Sequence, residues 1–352
     1  MNLVLLVPDV SKSLPIVTYP ALQLLLLRQL QQVICLRSDV LFAGCLSTVP
    51  KIEVGLLPLG EPNPPISLQR VKGKMPVLYR SAIALQLAKP CCRPALSLAG
   101  AIAEEFFQVA IAQNLPGPLG LEGSDLILRN FTVKVESPGW LYFELTSAGL
   151  AAWLQWLTLV YVPHPEQAYD LVSKGFVPEG ALPTSSDFSR SQVFDSFTVQ
   201  YAHARCVALL RLAGGQSWMT RDLRNPDQST PSAIAPPLIP WLNAAGELRL
   251  THAAEQTLIF ALIDTVDELL HLITDAAIAQ SPPPGWQVRV ERLVAALAQV
   301  FLNFYDACRF WGEVQQRDPA LVQARLGLVL ATQLLLKLML QEFLGLAAPT
   351  KL

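Results

Sequence analysis

The chain has 352 residues, which at roughly 150 residues per domain implies about two domains with their own cores and excludes a peptide, a disulfide-stapled miniprotein or a disordered tail. Hydrophobic residues make up 52% and charged residues 15%, against about 25% charged in an ordinary soluble domain, so the surface is poor in charge. With 26 Lys and Arg against 28 Asp and Glu the net charge is −2, which excludes the long-range attraction that draws basic proteins onto nucleic acid and leaves only local contacts for any RNA.

Met1–Val7 is apolar but lacks a basic leader and meets Pro8 and Asp9 at once, so it reads as a buried strand rather than a signal peptide. Pro58, Pro62, Pro64 and Pro65 interrupt the first third. The pattern then predicts a helix over Met75–Leu87, a second over Ala95–Gln113 and a strand over Phe131–Leu145, together an α+β domain over residues 1–162. Leu145–Pro163 carries no charge and approaches bilayer-spanning length. Thr146, Ser147, Gln155 and Thr158 interrupt it, and the alternating Trp140–Phe143 runs into it, so no integral membrane span is expected. Peripheral membrane contact stays open.

Proline-rich residues 163–190 read as a linker. From there to 352 the signal is helical. Phe194–Ala213 opens it. Thr251 is placed to cap a second helix bearing Leu258, Leu262, Val266, Leu269, Leu270 and Ile273 at helical spacing. Leu293, Leu297, Val300, Phe304, Cys308 and Trp311 form the stripe of a third. Asp318-Pro319 reads as N-cap and first residue of a fourth, apolar on every side in its later turns and running toward Gly345. The expected architecture is therefore an α+β N-terminal domain followed by an all-α helical bundle. The six cysteines, Cys35, Cys45, Cys91, Cys92, Cys206 and Cys308, show no metal-finger spacing and are expected to be reduced thiols in a cytoplasmic protein.

Val199-Gln200-Tyr201-Ala202-His203-Ala204-Arg205 resembles the signature that opens the helical DALR anticodon-binding domain of arginyl-tRNA synthetases. Phe301–Gly312 resembles a later helix of the same domain. Ala324-Arg325-Leu326 and Ala347–Leu352 resemble its closing helix and tail. In the N-terminal half, Tyr79–Lys89, Ala101–Glu105 and Val135–Phe143 follow in order the pattern of that synthetase's small N-terminal domain, while residues 1–70 diverge. The resemblance implies a class I catalytic domain between these halves. Yet only about 50 residues separate Leu145 from Asp195, too few for a nucleotide-binding domain of usual size. No HIGH-type signature is present, and Lys72-Gly73-Lys74-Met75-Pro76, the nearest approach to a KMSKS loop, lies on the wrong side of the N-terminal motif. No cofactor and no catalytic residue are therefore expected.

On a helix Tyr201 and Arg205 share a face, so a ring able to stack a splayed base lies beside a guanidinium able to take a phosphate. The alternative is that both serve bundle packing and a surface ion pair. By resemblance the candidate tRNA contacts are Gln200, Tyr201, His203, Arg205, Tyr305, Arg309, Leu352 and Tyr79. Departures from the family fall at contact positions: Thr198 stands where an aromatic is usual, Ala82 where an asparagine is, and Leu352 where a terminal methionine is. Basic and acidic residues nearly balance from Arg190 onward. Three readings follow. The first is a non-catalytic synthetase-like protein that binds tRNA, an arginine-accepting one, weakly, with no DNA partner. The second is a repurposed scaffold that meets a protein partner through apolar surface such as Leu22–Leu27. The third is an accessory subunit in aminoacylation.

Asp267, His271 and Asp275 share a helical face and read as a solvated charged stripe rather than a metal site. His203 with Cys206 offers no nucleophilic pair without an oxyanion hole. Glu104 and Glu105 point to different faces and make no acid–base couple. His164 and His252 read as isolated.

Overall fold

Two patterns of period two build the sheet. Phe131–Glu136 (β3) and Trp140–Leu145 (β4) alternate buried and open side chains, as a half-covered strand must. The computed structural model describes residues 21–37, 41, 66–73, 75–89, 91–112, 124–159, 194–215, 219–220, 233–234, 238–279 and 284–352. In chain order the N-terminal part runs α1 (Leu22–Leu36), β1 (Leu68–Val71), β2 (Leu78–Ser81), α2 (Ile83–Ala88), α3 (Ala95–Ala112), α4 (Ser124–Leu128), β3, β4 and α5 (Ser147–Leu159). The four strands form an antiparallel sheet in the order β1-β2-β4-β3, with Tyr79 opposite Phe143 and Val133 opposite Phe143. The face carrying Tyr79, Leu141 and Phe143 is fully buried. Helix α3 covers it through Phe106, whose ring centre lies 5.1 Å from that of Phe143, and α1 packs on α3, where Gln29 Nε2 donates to Phe106 O at 2.9 Å.

Several expectations change here. Met75–Leu87 is not one helix: Leu78–Ser81 is a strand and only Ile83–Ala88 is helical. Phe131–Leu145 is a hairpin rather than a single strand, turning at Ser137-Pro138-Gly139. Gly139 has φ +148, and a Cβ there would lie 2.8 Å from Ala95 Cβ, so only glycine fits against the start of α3. The strand expected to continue from Trp140 gives way after Leu145 to helix α5. Leu22–Leu27 is not an open patch, because Leu22, Leu25 and Leu26 are core residues of α1. The expected strand Met1–Val7, the linker 163–190 and His164 lie outside the described residues.

The C-terminal part is largely helical: α6 (Ser196–Gly215), β5 (Met219–Thr220), β6 (Ala233–Ile234), α7 (Ala253–Ala279), α8 (Trp286–Ala307), α9 (Glu313–Arg317) and α10 (Pro319–Leu338), continued by a π-helical turn, Met339–Phe343. The small β5–β6 ladder interrupts what composition reads as helices alone. Val290, Val294, Leu297, Ala298, Phe301 and Phe304 form the buried stripe of α8, the spacing of one helix face turned to a core. This helix stops at Ala307, where Cys308 is extended, so the stripe does not run helically to Trp311. Asp318 caps α10 as expected, accepting from Leu321 N at 2.9 Å with Pro319 at the first position. The cap of α7 falls one residue beyond Thr251. His252 Nδ1 accepts from Ala254 N, and Glu255 reaches back to His252 N at 2.9 Å, the reciprocal pairing of a capping box.

Helix α10 lies at the centre, packed on α5, α6 and α8. Pro319–Phe343 is long and apolar enough to cross a membrane, yet 72% of its apolar window is buried inside the protein, which marks a central core helix.

The two parts are packed together through polar as well as apolar contacts. Tyr79 Oη donates to Asp267 Oδ2 at 2.8 Å, Gln23 N donates to Asp267 Oδ1 at 3.1 Å, and Arg70 Nη2 pairs with Asp264 Oδ2 at 2.5 Å. On the other side of the sheet's domain, Gln155 Oε1 of α5 accepts from Ile239 N and Trp241 Nε1. Asp267 therefore departs from the solvated stripe expected of it, while His271 and Asp275 remain exposed.

Candidate nucleic-acid interface

Helix α6 is started by Asp195, whose carboxylate accepts from Thr198 N at 3.3 Å and from the Thr198 hydroxyl. That is the geometry of an N-cap. Thr198 is thus spent on the cap, and the aromatic group at this end of the helix comes from its neighbour Phe197, 62% exposed.

From Phe197 a continuous stack follows. The Phe197 and Tyr201 rings lie 6.3 Å apart and 17° from parallel. Arg205, one turn on, donates from Nε to Tyr201 Oη at 3.0 Å, and its guanidinium carbon lies 5.4 Å from the Tyr201 ring centre and 5.5 Å from that of Tyr305 on α8. Tyr305 stacks in turn on Phe301 at 6.5 Å. A guanidinium between two rings gains cation–π attraction from both. Its bond to the Tyr201 hydroxyl, with the nearby Tyr305, raises the Arg205 pKa further, so the cation is permanent. The open end of the stack is an aromatic face beside an exposed positive charge, suited to stacking an unpaired base and meeting its phosphate.

The remaining candidates divide by burial. Arg309 is exposed, just past the end of α8, and Leu352 is 65% exposed. Gln200 is half-buried and donates to Ala347 O at 2.9 Å. His203 is 1% exposed, with Nδ1 2.9 Å from Pro349 O and Nε2 2.9 Å from Gln333 Nε2. Burial lowers its pKa, Lys337's charge adds to this, and the bond to Pro349 O opposes both. Tyr79 is wholly buried, its hydroxyl held by Asp267. Neither His203 nor Tyr79 presents a group at the surface, a burial that motif position in a sequence does not disclose. Phe197 was missed, although its spacing of four from Tyr201 puts it on the same face.

Two further clusters are structural. Glu255 and Arg325 form a buried ion pair at 2.6 Å, and Arg325 Nη1 also donates to Arg309 O. Cys308 Sγ lies 3.6 Å from His252 Nδ1, so His252 is not isolated. Burial pushes the Cys308 thiol up to about 11, and a thiol so protonated is no nucleophile. Cys206 is likewise buried and raised. Glu104 is exposed while Glu105 pairs with Arg37 at 2.9 Å, as two faces of one helix require.

Residues 199–352 match the family described as the DALR anticodon binding domain. The chain is 32% identical over 165 residues to an arginine–tRNA ligase of Synechococcus sp. (strain JA-3-3Ab), covering 46% of this chain and 23% of that protein. It is 32% identical over 186 residues to the arginine–tRNA ligase of Frankia alni, covering 52% and 28%, and 34% identical over 168 residues to that of Moorella thermoacetica, covering 47% and 24%. These matches span about a quarter of the curated relatives' length. No solved structure matches the chain significantly. Residues 199–352 thus match the DALR anticodon binding domain, and the chain that carries them is similar to arginine–tRNA ligases.

Proposed function

We propose that this chain is a non-catalytic, arginyl-tRNA synthetase-like protein that binds tRNA, an arginine-accepting one, weakly through its DALR domain. The observation that carries this reading is the Phe197–Tyr201–Arg205–Tyr305 stack, which offers an open ring and a fixed cation on one face. Stacking a base is worth roughly 1 to 3 kcal/mol, enough for weak binding without long-range charge steering. The short stretch between Leu145 and Asp195 and the missing nucleotide motifs favour binding without aminoacylation. An N-terminal unit (1–162), a linker (163–190) and a helical unit (191–352) complete the proposed organisation.

A low-salt gel-shift titration tests it. tRNA is expected to bind more tightly than a charge-matched polyanion, and Tyr201→Ala or Phe197→Ala is expected to weaken it about 5- to 150-fold. Equal binding of tRNA and polyanion refutes the proposal. The scaffold reading loses the apolar run Leu22–Leu27 as a support, because Leu22, Leu25 and Leu26 are core residues, and keeps the low charge fraction of the chain.

A further inference from the structure

Three polar residues of α6 outside the stack share one task. Gln200 donates to Ala347 O, His203 meets Pro349 O, and Arg211 Nη1 donates to Thr350 O, each at 2.9 Å. All three acceptors are backbone carbonyls of the non-helical tail that follows the π-helical turn. A segment in neither helix nor sheet must satisfy its backbone groups with side chains or water, and here side chains from one helix supply the donors. Because Pro349 O can only accept, Nδ1 of His203 carries the proton, and the neutral ring then accepts at Nε2 from the Gln333 amide. The ring is thereby clamped between α10 and the tail. Lys337 of α10 is the charge acting on it, while Glu342 of the π-helical turn acts on Lys337.

At about 100° per residue the Gln200, His203 and Arg211 positions form a stripe roughly a third of a turn around α6 from Phe197, Tyr201 and Arg205. The tail is laid along the flank of the stacking face.

We propose that Gln200, His203 and Arg211 are a receptor for the chain's own C-terminal tail, and act on RNA only by positioning that tail beside the aromatic stack. They are positioning residues, with His203 the central one. The second clause rests on the function proposed above; the first stands without it.

Hydrogen exchange of the tail amides, measured on the full chain without RNA, tests the receptor. Gln200→Ala, at a half-exposed position, and His203→Ala are each expected to speed exchange of the Leu346 amide, which donates to Leu340 O at 2.7 Å beside the anchored carbonyls, by about fivefold or more, the loss of one hydrogen bond. His203→Gln, which can still donate, is expected to restore part of the protection. Unchanged exchange in Gln200→Ala and His203→Ala overturns the receptor. A tRNA titration then tests positioning by a cycle of His203→Ala with a chain ending at Leu346. If His203 acts through the tail, the double variant binds like the truncation alone; additive losses mean that it acts otherwise and overturn the positioning role. A wild-type chain that prefers no tRNA overturns that role together with the proposed function, while the exchange result still decides the receptor.

Discussion

Asp267 caps a helix from 244 residues away: its carboxylate accepts from the backbone N–H of Gln23, in the first turn of α1. Ala21, at the N-cap position, offers no side-chain acceptor, so one orphan donor at that end of α1, the Gln23 N–H, is met from α7. The other carboxyl oxygen accepts from the Tyr79 hydroxyl. One buried side chain thus joins α1, β2 and α7. Asp267→Ala leaves a buried hydroxyl and a part-buried N–H without partners, and each such group costs about 1–3 kcal/mol. The expected loss is about 2–5 kcal/mol in urea unfolding, and Tyr79→Phe, which removes one donor, is expected to cost less. Equal costs would show that Asp267 does not act through both bonds.

The same carboxyl gives stability a pH slope. Burial raises its pKa from 3.8 to about 7, with Asp264 adding to the rise and Tyr79, Gln23 and Arg70 opposing it. Between those values the folded state holds more protons than the unfolded one, so this contribution is full below pH 3.8 and declines as pH rises through about 7. The denaturation midpoint of the wild type is expected to fall from pH 5.5 to 7.5 relative to Asp267→Asn, which cannot titrate. Parallel profiles would refute this.

His203 slopes the other way. Its pKa lies below the ordinary 6.5, chiefly through burial, so its contribution is complete above about 6.5 and is lost as pH falls below that value. In a His203→Gln background the loss of stability below pH 6.5 is expected to shrink, as read by thermal melts across pH 5 to 7.5. An unchanged profile would show that the imidazole does not titrate within the fold.

The contrast between these residues shows what a linear sequence discloses. The signature Val199–Arg205 and the Asp318-Pro319 cap depend on neighbours within a turn, and both are legible in order. The four-residue strand Leu78–Ser81 is too short for alternation to outweigh a helical pattern that continues through Ile83–Ala88. Asp267 keeps helical spacing with His271 and Asp275, so it reads as surface; its true partners stand 188 and 244 residues away. Motif position fixed the neighbourhood of His203 and Tyr79 but not whether they face inward. Phe197 is legible too, since four residues from Tyr201 is about one helical turn, although the family pattern has its aromatic at Thr198.

The Glu255–Arg325 pair is buried on both sides, with side-chain exposures of 1% and 10%, and Glu255 also holds the start of α7 through His252 N. Removing one member strands a buried charge, at about 3–5 kcal/mol. Arg325→Met is expected to lose that much in chemical denaturation, and Arg325→Met with Glu255→Leu to recover part of it. A double variant no more stable than Arg325→Met alone would mean that the stranded charge is not the source of the loss.

Gly327 sets how closely α10 approaches Trp241. It lies in α10, where a Cβ would stand 2.4 Å from Trp241 Cη2 and 3.0 Å from Ile239 Cδ1. Trp241 is held from its far side, since its Nε1 and the Ile239 N–H both donate to Gln155 Oε1 of α5. The indole cannot retreat from a new methyl without stretching those bonds, so the strain passes from α10 to α5. Overpacking of this kind costs about 1–3 kcal/mol. Gly327→Ala is expected to lower the denaturation midpoint accordingly. Trp241→Phe, smaller at the contact but unable to donate, is expected to relieve the clash and lower the penalty of the alanine when the two are combined. If the penalty is the same in both backgrounds, the close approach of Trp241 is not what demands glycine here.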